Sequence, residues 1–101
     1  MSLCYSIFMG FHPAYYVYIV QCSDGSFYTG QTQDLDIRIK EHNGILKGGS
    51  VYTRSKRPVT LRYLEEYSTR SEALKREHEL KKLTHLEKEA ICKTSSLLKD
   101  I

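Results

Sequence analysis

The stretch YYVYIVQCSDGSFYTGQT, residues 15–32, consists of two apolar and aromatic runs separated by the tetrapeptide Ser-Asp-Gly-Ser. Both runs are rich in Tyr, Val, Ile and Phe, which are typical of β-strands. An Asp-Gly pair between two such runs is a strong signal for a tight β-turn. The sequence therefore predicts an antiparallel hairpin, with strands over about residues 15–22 and 27–30.

The length of the turn decides which side chains of this hairpin share a face. A two-residue turn would place Tyr18 and Tyr28 on opposite faces of the sheet. A three-residue loop over 23–25, with Gly25 in the left-handed bulge position, places both rings on one face. Gly30 then lies opposite Tyr18 and leaves a hollow there. We expect the three-residue loop, although strand tyrosines more commonly do no more than pack a half-buried sheet.

A short helix and a loop are predicted after the hairpin. Thr32 or Asp34 can act as the N-cap, apolar residues follow one helical turn apart, and Asn43-Gly44 is a stop signal. The next segment, KGGSVYTRSKRP at 47–58, contains two adjacent glycines, a proline and four cations. Such a composition is typical of a flexible loop.

The remainder of the chain predicts one strand and two helices. Residues 59–67 alternate roughly between apolar and polar side chains, as a strand does. Two capping boxes then open helices that run through about residue 83 and about residue 93: Thr69 with Glu72, and Thr84 with Glu87. The element order β-β-α-β-α-α predicts an α+β domain in which helices flank a small antiparallel sheet.

Composition indicates a small globular protein. The chain has 101 residues, 41% hydrophobic and 27% charged, and no apolar run approaches the ~20 residues of a membrane span. The net charge of +3 permits an anionic partner without demanding one. Three cysteines, without metal-ligand spacing, predict reduced thiols and a cytoplasmic location.

The expected domain covers residues 14–92. The apolar opening, residues 1–13, lacks the basic start and the small-residue cleavage site of a signal peptide, so we expect an N-terminal arm or edge segment. Residues 93–101 are expected to form a C-terminal tail. No internal repeat is visible.

The first predicted helix carries two polar residues at the border of its apolar stripe. On a helical wheel His42 clusters with Leu35 and Ile39, and Arg38 lies just beside them. Three other residues point away: Asp36, Lys40 and Glu41. A histidine at such a border is more often a core-edge residue than a catalyst, and an arginine there usually snorkels.

Glu77 lies in the predicted helix that begins after Thr69, and the helical wheel places its carboxylate on the apolar face, beside Ala73 and Leu80. Removing a carboxylate from water requires a cation, a metal ion or hydrogen-bond donors to offset the desolvation. Two interpretations stay open. Glu77 forms a structural ion pair with Arg38 or Arg62, or it binds a divalent metal ion.

Four short segments together resemble the GIY-YIG endonucleases, in particular a small stand-alone single-domain subgroup (UPF0213-like). The N-terminal nuclease domain of the repair protein UvrC is more distantly similar. The segments are YVY at 16–18, YTG at 28–30, LDIRIKEH at 35–42 and EALKRE at 72–77. The resemblance implies a three-stranded antiparallel sheet flanked by helices. It also implies a nuclease that hydrolyses phosphodiester bonds of DNA with one divalent cation, Mg²⁺ or Mn²⁺.

The resemblance also implies roles for individual residues. Tyr18 and Tyr28 match the tyrosines of the two half-motifs, Arg38 matches the helix arginine, and His42 matches a histidine that part of the family carries. Glu77 matches the metal-binding glutamate. For the base that takes the proton of the attacking water, we expect Tyr28 with Tyr18 as its hydrogen-bonded partner, or alternatively His42.

The cationic loop is the expected contact for the phosphate backbone. Tyr52 can stack on a base, and four cations can contact phosphates: Lys47, Arg54, Lys56 and Arg57. A merely solvated basic loop is the commoner case for such a run. We expect a monomer with nucleic acid, most simply DNA, as its partner and no membrane association. Sequence specificity should be low because nothing resembles a helix that reads the major groove.

Two other functions stay open. Tyr16 stands where the family has a glycine, and Gln31 stands where repair-type members have a lysine. These departures motivate a non-catalytic nucleic-acid-binding module with the same fold. A protein-interaction domain is the third candidate.

Overall fold

The computed structural model describes residues 14–94, so the predicted arm over 1–13 and most of the predicted tail lie outside the described residues. Three antiparallel strands form one sheet in the order β2-β1-β3: β1 (Tyr15–Gln21), β2 (Phe27–Thr32) and β3 (Thr60–Tyr67). Two helices lie between β2 and β3 in the chain, α1 (Leu35–His42) and α2 (Val51–Arg54). Two more follow β3, α3 (Arg70–Lys81) and α4 (His85–Thr94). The predicted α+β fold is confirmed.

The hairpin has the predicted three-residue loop. Tyr18 lies opposite Gly30, and Val20 lies opposite Tyr28. Gly25 has φ +89°, in the left-handed region where glycine avoids the penalty of a Cβ. Tyr18 and Tyr28 therefore project from the same face of the sheet.

The central strand β1 is covered on both faces. On one face Val17 and Ile19 pack with residues of β2, α3 and α4, a cluster completed by Phe27, Ala73, Leu80 and Cys92. On the other face Tyr18 and Val20 pack with Cys22 and Val59, and with the apolar side of α1. A strand buried on both faces reads as an unbroken apolar run, as residues 17–20 do. Cys22 and Cys92 are buried free thiols.

The capping signals of three helices hold. Asp34, and not Thr32, caps α1 by accepting a hydrogen bond from the Ile37 N–H at 3.1 Å. The predicted capping box is complete at the start of α4, where Thr84 and Glu87 exchange both hydrogen bonds. At the start of α3 Thr69 accepts from the Glu72 N–H, but Glu72 bonds the Thr69 hydroxyl rather than its backbone N–H. The helix α3 ends at Lys81, two residues before the predicted end, and α4 includes residues 93–94 of the predicted tail.

The prediction of a wholly flexible loop over 47–58 is wrong. The segment contains one helical turn, α2, whose N-cap is Ser50. The Ser50 side chain accepts a hydrogen bond from the Thr53 N–H at 3.1 Å, which satisfies an otherwise unpaired donor at the helix start. This turn places Thr53 against α1.

Among residues 14–94, no helix is long and apolar enough to cross a membrane.

Candidate active site

Tyr18 lies directly over the backbone of Gly30. A Cβ at position 30 would come within 2.5 Å of Oη and 2.8 Å of Cζ of Tyr18, closer than side chains tolerate. Only glycine therefore admits the Tyr18 ring at this point of the sheet. The ring is completely buried, as the predicted hollow requires.

The Tyr18 hydroxyl joins a hydrogen-bonded cluster that spans β1, α1 and α2. It lies 2.8 Å from Nε2 of His42, and the Arg38 Nε–H donates to it at 3.4 Å. The other ring nitrogen of His42, Nδ1, lies 2.8 Å from Oγ1 of Thr53. The cluster thus brings together three residues predicted for the site and adds one that was not predicted.

His42 and Tyr18 are both neutral near pH 7. Burial, followed by the positive charges of Arg38 and Arg57, lowers the pKa of His42 to about 4. Burial raises the pKa of Tyr18 to about 12, although the hydrogen bond from Arg38 opposes the shift. His42 is also fully buried with both ring nitrogens engaged. The alternative in which His42 itself takes a proton from water therefore does not fit this geometry.

Arg38 has an acidic partner that the helical wheel missed. Its Nη1 lies 2.8 Å from Oε1 of Glu41, so Glu41 does not point away as predicted. Glu41 turns back along the helix to a residue three positions earlier. Burial lowers the pKa of Arg38, but the hydrogen bonds to Glu41 and Tyr18 raise it by more. The guanidinium stays charged and 28% exposed, which leaves it able to meet an anion.

Tyr28 lies beside this cluster but makes no hydrogen bond to Tyr18. Its half-buried ring packs edge-on against His42, with centroids 5.2 Å apart, and lies 5.8 Å from the ring of Tyr52. The predicted hydrogen bond between Tyr18 and Tyr28 is not observed, because the Tyr18 hydroxyl is engaged by His42 and Arg38. Tyr28 thus forms the more accessible wall of the site.

Glu77 lies on the inner side of α3, as predicted, with its side chain only 17% exposed. Its carboxylate contacts Lys81 at 3.3 Å, one helical turn later. The predicted ion pair with Arg38 or Arg62 is not observed, because Arg38 binds Glu41 and Arg62 donates to Gln21. The negative charge of Glu77 is a minor cause of the raised pKa of Tyr18.

A divalent cation fits Glu77 by the chemistry of its donors. Within residues 14–94 no group of three or more metal-binding side chains occurs. Mg²⁺ commonly binds through one or two carboxylates, with waters and substrate phosphate completing its shell. A single carboxylate, 17% exposed and held within the described part of the chain only by the half-exposed Lys81, meets that requirement.

The predicted phosphate contacts divide into two groups. Arg54 and Lys47 are exposed, and Nζ of Lys56 lies 4.0 Å over the ring of Tyr52. Arg57 has a different task, because its Nε–H donates to the carbonyl of His42 at 2.7 Å and its Nη2 to that of Glu41 at 3.4 Å. Arg57 thus satisfies the C-terminal end of α1.

Thr53 is the residue of this cluster that sequence reasoning missed. It is completely buried, and its hydroxyl contacts Ser50 as well as His42. The available signal was Ser50 three positions before Thr53, the spacing of an N-cap and its N3 residue. The adjacent glycines favoured a loop instead.

Comparison with known proteins finds one family model, the GIY-YIG catalytic domain, which matches residues 14–90. A UPF0213 protein of Halobacterium salinarum is 46% identical over 77 residues, covering 76% of this chain and 97% of that protein. A UPF0213 protein of Desulfotalea psychrophila is 52% identical over 83 residues, covering 82% of this chain and 74% of that protein. A solution NMR structure of a protein from E. faecalis is 43% identical, with a TM-score of 0.55, covering 80% of this chain and 84% of that chain.

Proposed function

The chain belongs to the GIY-YIG family, and on that premise we propose that it is a divalent-metal-dependent endonuclease of DNA with low sequence specificity, acting on branched or damaged structures. The observation that carries the proposal is the cluster itself. Arg38, Tyr18 and His42 form one hydrogen-bonded unit, and Tyr28 packs against it. A charged guanidinium held by hydrogen bonds to Tyr18 and Glu41 suits an anionic substrate that gains charge during reaction.

Arg38 binds the scissile phosphate in this mechanism. Hydrolysis of a phosphodiester places additional negative charge on the non-bridging oxygens as water attacks phosphorus. The planar guanidinium presents paired donors to such oxygens, and Glu41 and Tyr18 hold its other donors in place. Arg38 thus stabilises the charge without having to reorganise.

Tyr28 takes the proton of the attacking water. The water oxygen forms the new bond to phosphorus, its proton passes to the Tyr28 oxygen, and the bond to the leaving oxygen breaks. Tyr28 acts in this step as a phenolate, so the proton that it accepts restores its hydroxyl. Tyr28 is suited to this contact because its ring is only half-buried, whereas Tyr18 is completely buried.

Glu77 would hold the divalent cation. When bound, that cation supplies charge stabilisation for the leaving oxygen. The carboxylate lies on the inner side of α3, and its ion pair with the half-exposed Lys81 is weak enough to exchange for a cation.

One observation favours the second candidate, a nucleic-acid-binding module without catalysis. The two residues at the centre of the cluster, Tyr18 and His42, are completely buried and neutral, so neither touches a substrate directly. In that function Arg38 and the exposed loop cations would bind phosphate without cleavage.

The experiment that separates the two functions uses the full chain with nicked, branched, duplex and single-stranded DNA, and with matched RNA. Each substrate is incubated with Mg²⁺, with Mn²⁺ and with chelator, and binding is measured in parallel. The nuclease proposal expects metal-dependent cleavage of DNA that stops in chelator. Binding without cleavage of any substrate would overturn it in favour of the binding module.

A further inference from the structure

We propose that Thr53 is a positioning residue that fixes the tautomer of His42, so that Tyr18 turns its hydroxyl proton away from the site and its oxygen lone pair towards Arg38. The inference rests on the proposed function for its catalytic consequence. Its structural content rests only on the hydrogen bonds of the cluster.

The direction of the hydrogen bonds follows from the obligate donor at one end. Arg38 Nε always carries a proton, so it must donate to the Tyr18 oxygen at 3.4 Å. The Tyr18 proton then needs an acceptor. Among the described contacts of this hydroxyl, His42 Nε2 at 2.8 Å supplies it. His42 Nε2 is therefore unprotonated.

Thr53 completes the assignment from the other side of the ring. A neutral imidazole that accepts at Nε2 carries its proton on Nδ1 and must donate there. The Thr53 Oγ1 lies 2.8 Å from Nδ1, and its own proton has two acceptors on Ser50, the carbonyl oxygen at 3.3 Å and Oγ at 3.0 Å. The direction of donation thus runs from Arg38 through Tyr18 and His42 to Thr53 and ends at Ser50.

The segment over 47–58 supports the site by holding Thr53 against His42. The α2 turn holds Thr53 in place, since Ser50 caps it through the Thr53 N–H. With Nδ1 occupied, the Tyr18 oxygen keeps a lone pair for Arg38 and holds the guanidinium towards the phosphate site. In the opposite tautomer two N–H donors would point at the Tyr18 oxygen, and the buried Tyr18 proton would lose its acceptor.

The test reads the tautomer directly, by long-range ¹H–¹⁵N NMR of the His42 imidazole in the full chain at pH 7, without metal or DNA. The wild-type ring should be protonated at Nδ1 and bare at Nε2. Thr53→Val removes the acceptor at nearly constant volume and should move protonation towards Nε2, whereas Thr53→Ser should keep the wild-type pattern. Cleavage should fall about tenfold in Thr53→Val, the effect of one hydrogen bond, and stay within a few fold in Thr53→Ser.

Thr29→Val is the matched control. Thr29 is also buried, 2% exposed, and within the described residues its hydroxyl has no hydrogen-bond partner. The control should change neither the tautomer nor cleavage. If the His42 ring of the wild-type protein is protonated at Nε2, the proposal is overturned. This measurement uses the wild-type protein alone, so it does not depend on whether a variant folds. A folded Thr53→Val with the wild-type tautomer overturns the proposal as well. The expected tautomers in a protein that cuts nothing would support the assignment and contradict only the nuclease function.

Discussion

The hydroxyl of Tyr18 and Nε2 of His42 lie 2.8 Å apart across 24 positions of sequence, and both side chains are completely excluded from solvent. A buried hydrogen bond between neutral groups stabilises modestly when it is made, but leaves a costly unpaired group when one partner is removed. The pair is therefore part of the fold as well as part of the candidate site. Catalytic and structural roles can still be separated by comparing the two tyrosines.

Tyr18→Phe and Tyr28→Phe should differ in stability. Removing the Tyr18 hydroxyl leaves His42 Nε2 buried without a donor, so the free energy of unfolding should fall by about 1–3 kcal/mol. Tyr28 is half-buried, and its Phe variant should stay within about 0.5 kcal/mol of wild type while losing cleavage. Urea unfolding and a cleavage assay on both variants check this. Equal stability losses would contradict the assignment of Tyr28 as the accessible member.

Arg38→Ala should abolish cleavage and leave a folded protein. The proposed charge stabilisation corresponds to about 2.7–4 kcal/mol, a fall of about 10²–10³ in the rate constant. Arg76→Ala is the matched control, because Arg76 is similarly exposed, 31% against 28%, and binds a glutamate three residues later as Arg38 does. Arg76 also binds Glu65, so its variant should lose stability but keep cleavage. Arg38→Ala with nearly wild-type cleavage would make Arg38 structural.

Glu77→Gln should remove cleavage and weaken metal binding without lowering the thermal midpoint in chelator. The ion pair that it loses, with the half-exposed Lys81, is of a kind worth about 0–1 kcal/mol. Glu79→Gln on the same helix is the control, since Glu79 pairs with Arg76 at 3.2 Å. Calorimetric titration with Mn²⁺ and cleavage in Mg²⁺ measure the outcome. A Glu77→Gln protein that binds Mn²⁺ and cuts as wild type does would place the metal elsewhere.

Acidification should destabilise the protein through His42. Its pKa falls from about 6.5 to about 4 in the folded chain because burial penalises the cation and Arg38 and Arg57 repel it. The unfolded chain therefore binds this proton at a higher pH than the folded chain. The contribution of neutral His42 to the free energy of unfolding is complete above about pH 6.5 and is lost as the pH falls towards 4. Over that range the free energy of unfolding should fall with a slope approaching ~1.4 kcal/mol per pH unit.

His42→Phe isolates this contribution, since it removes the titrating group. Urea unfolding of both proteins between pH 7 and 5 should show a shallower dependence in the variant, together with lower stability at pH 7. The same slope in both proteins would mean that His42 is not the group responsible.

The hairpin, and the position of Arg38 beside His42 on α1, could be predicted because they depend on local geometry. Turn length determines the faces of Tyr18 and Tyr28, and the helical repeat places Arg38 beside His42. The partner of Arg38 was not predictable in this way, since the angular position of Glu41 on a wheel does not say where its long side chain reaches.

Thr53 was hidden for a different reason. Its contact with His42 depends on the path of the segment between α1 and β3, where Gly48 and Gly49 have φ of 130° and 90°. Glycines admit many conformations, so local sequence does not determine that path. Packing against the end of α1 does.

The three-residue loop at 23–25 ties the facing of the two tyrosines to the pairing of Cys22 with Ser26 across it. If the pairing slipped by one residue, so that Ser23 faced Ser26 across a two-residue turn, the outward and inward sets of β2 would be exchanged. Thr29 and Gln31 would then stand where Tyr28 and Gly30 stand now, and the ring of Tyr18 would meet a side chain. A slip of the pairing by one residue is thus equivalent to mutating the whole strand, whereas a slip of two residues preserves the facing of both tyrosines.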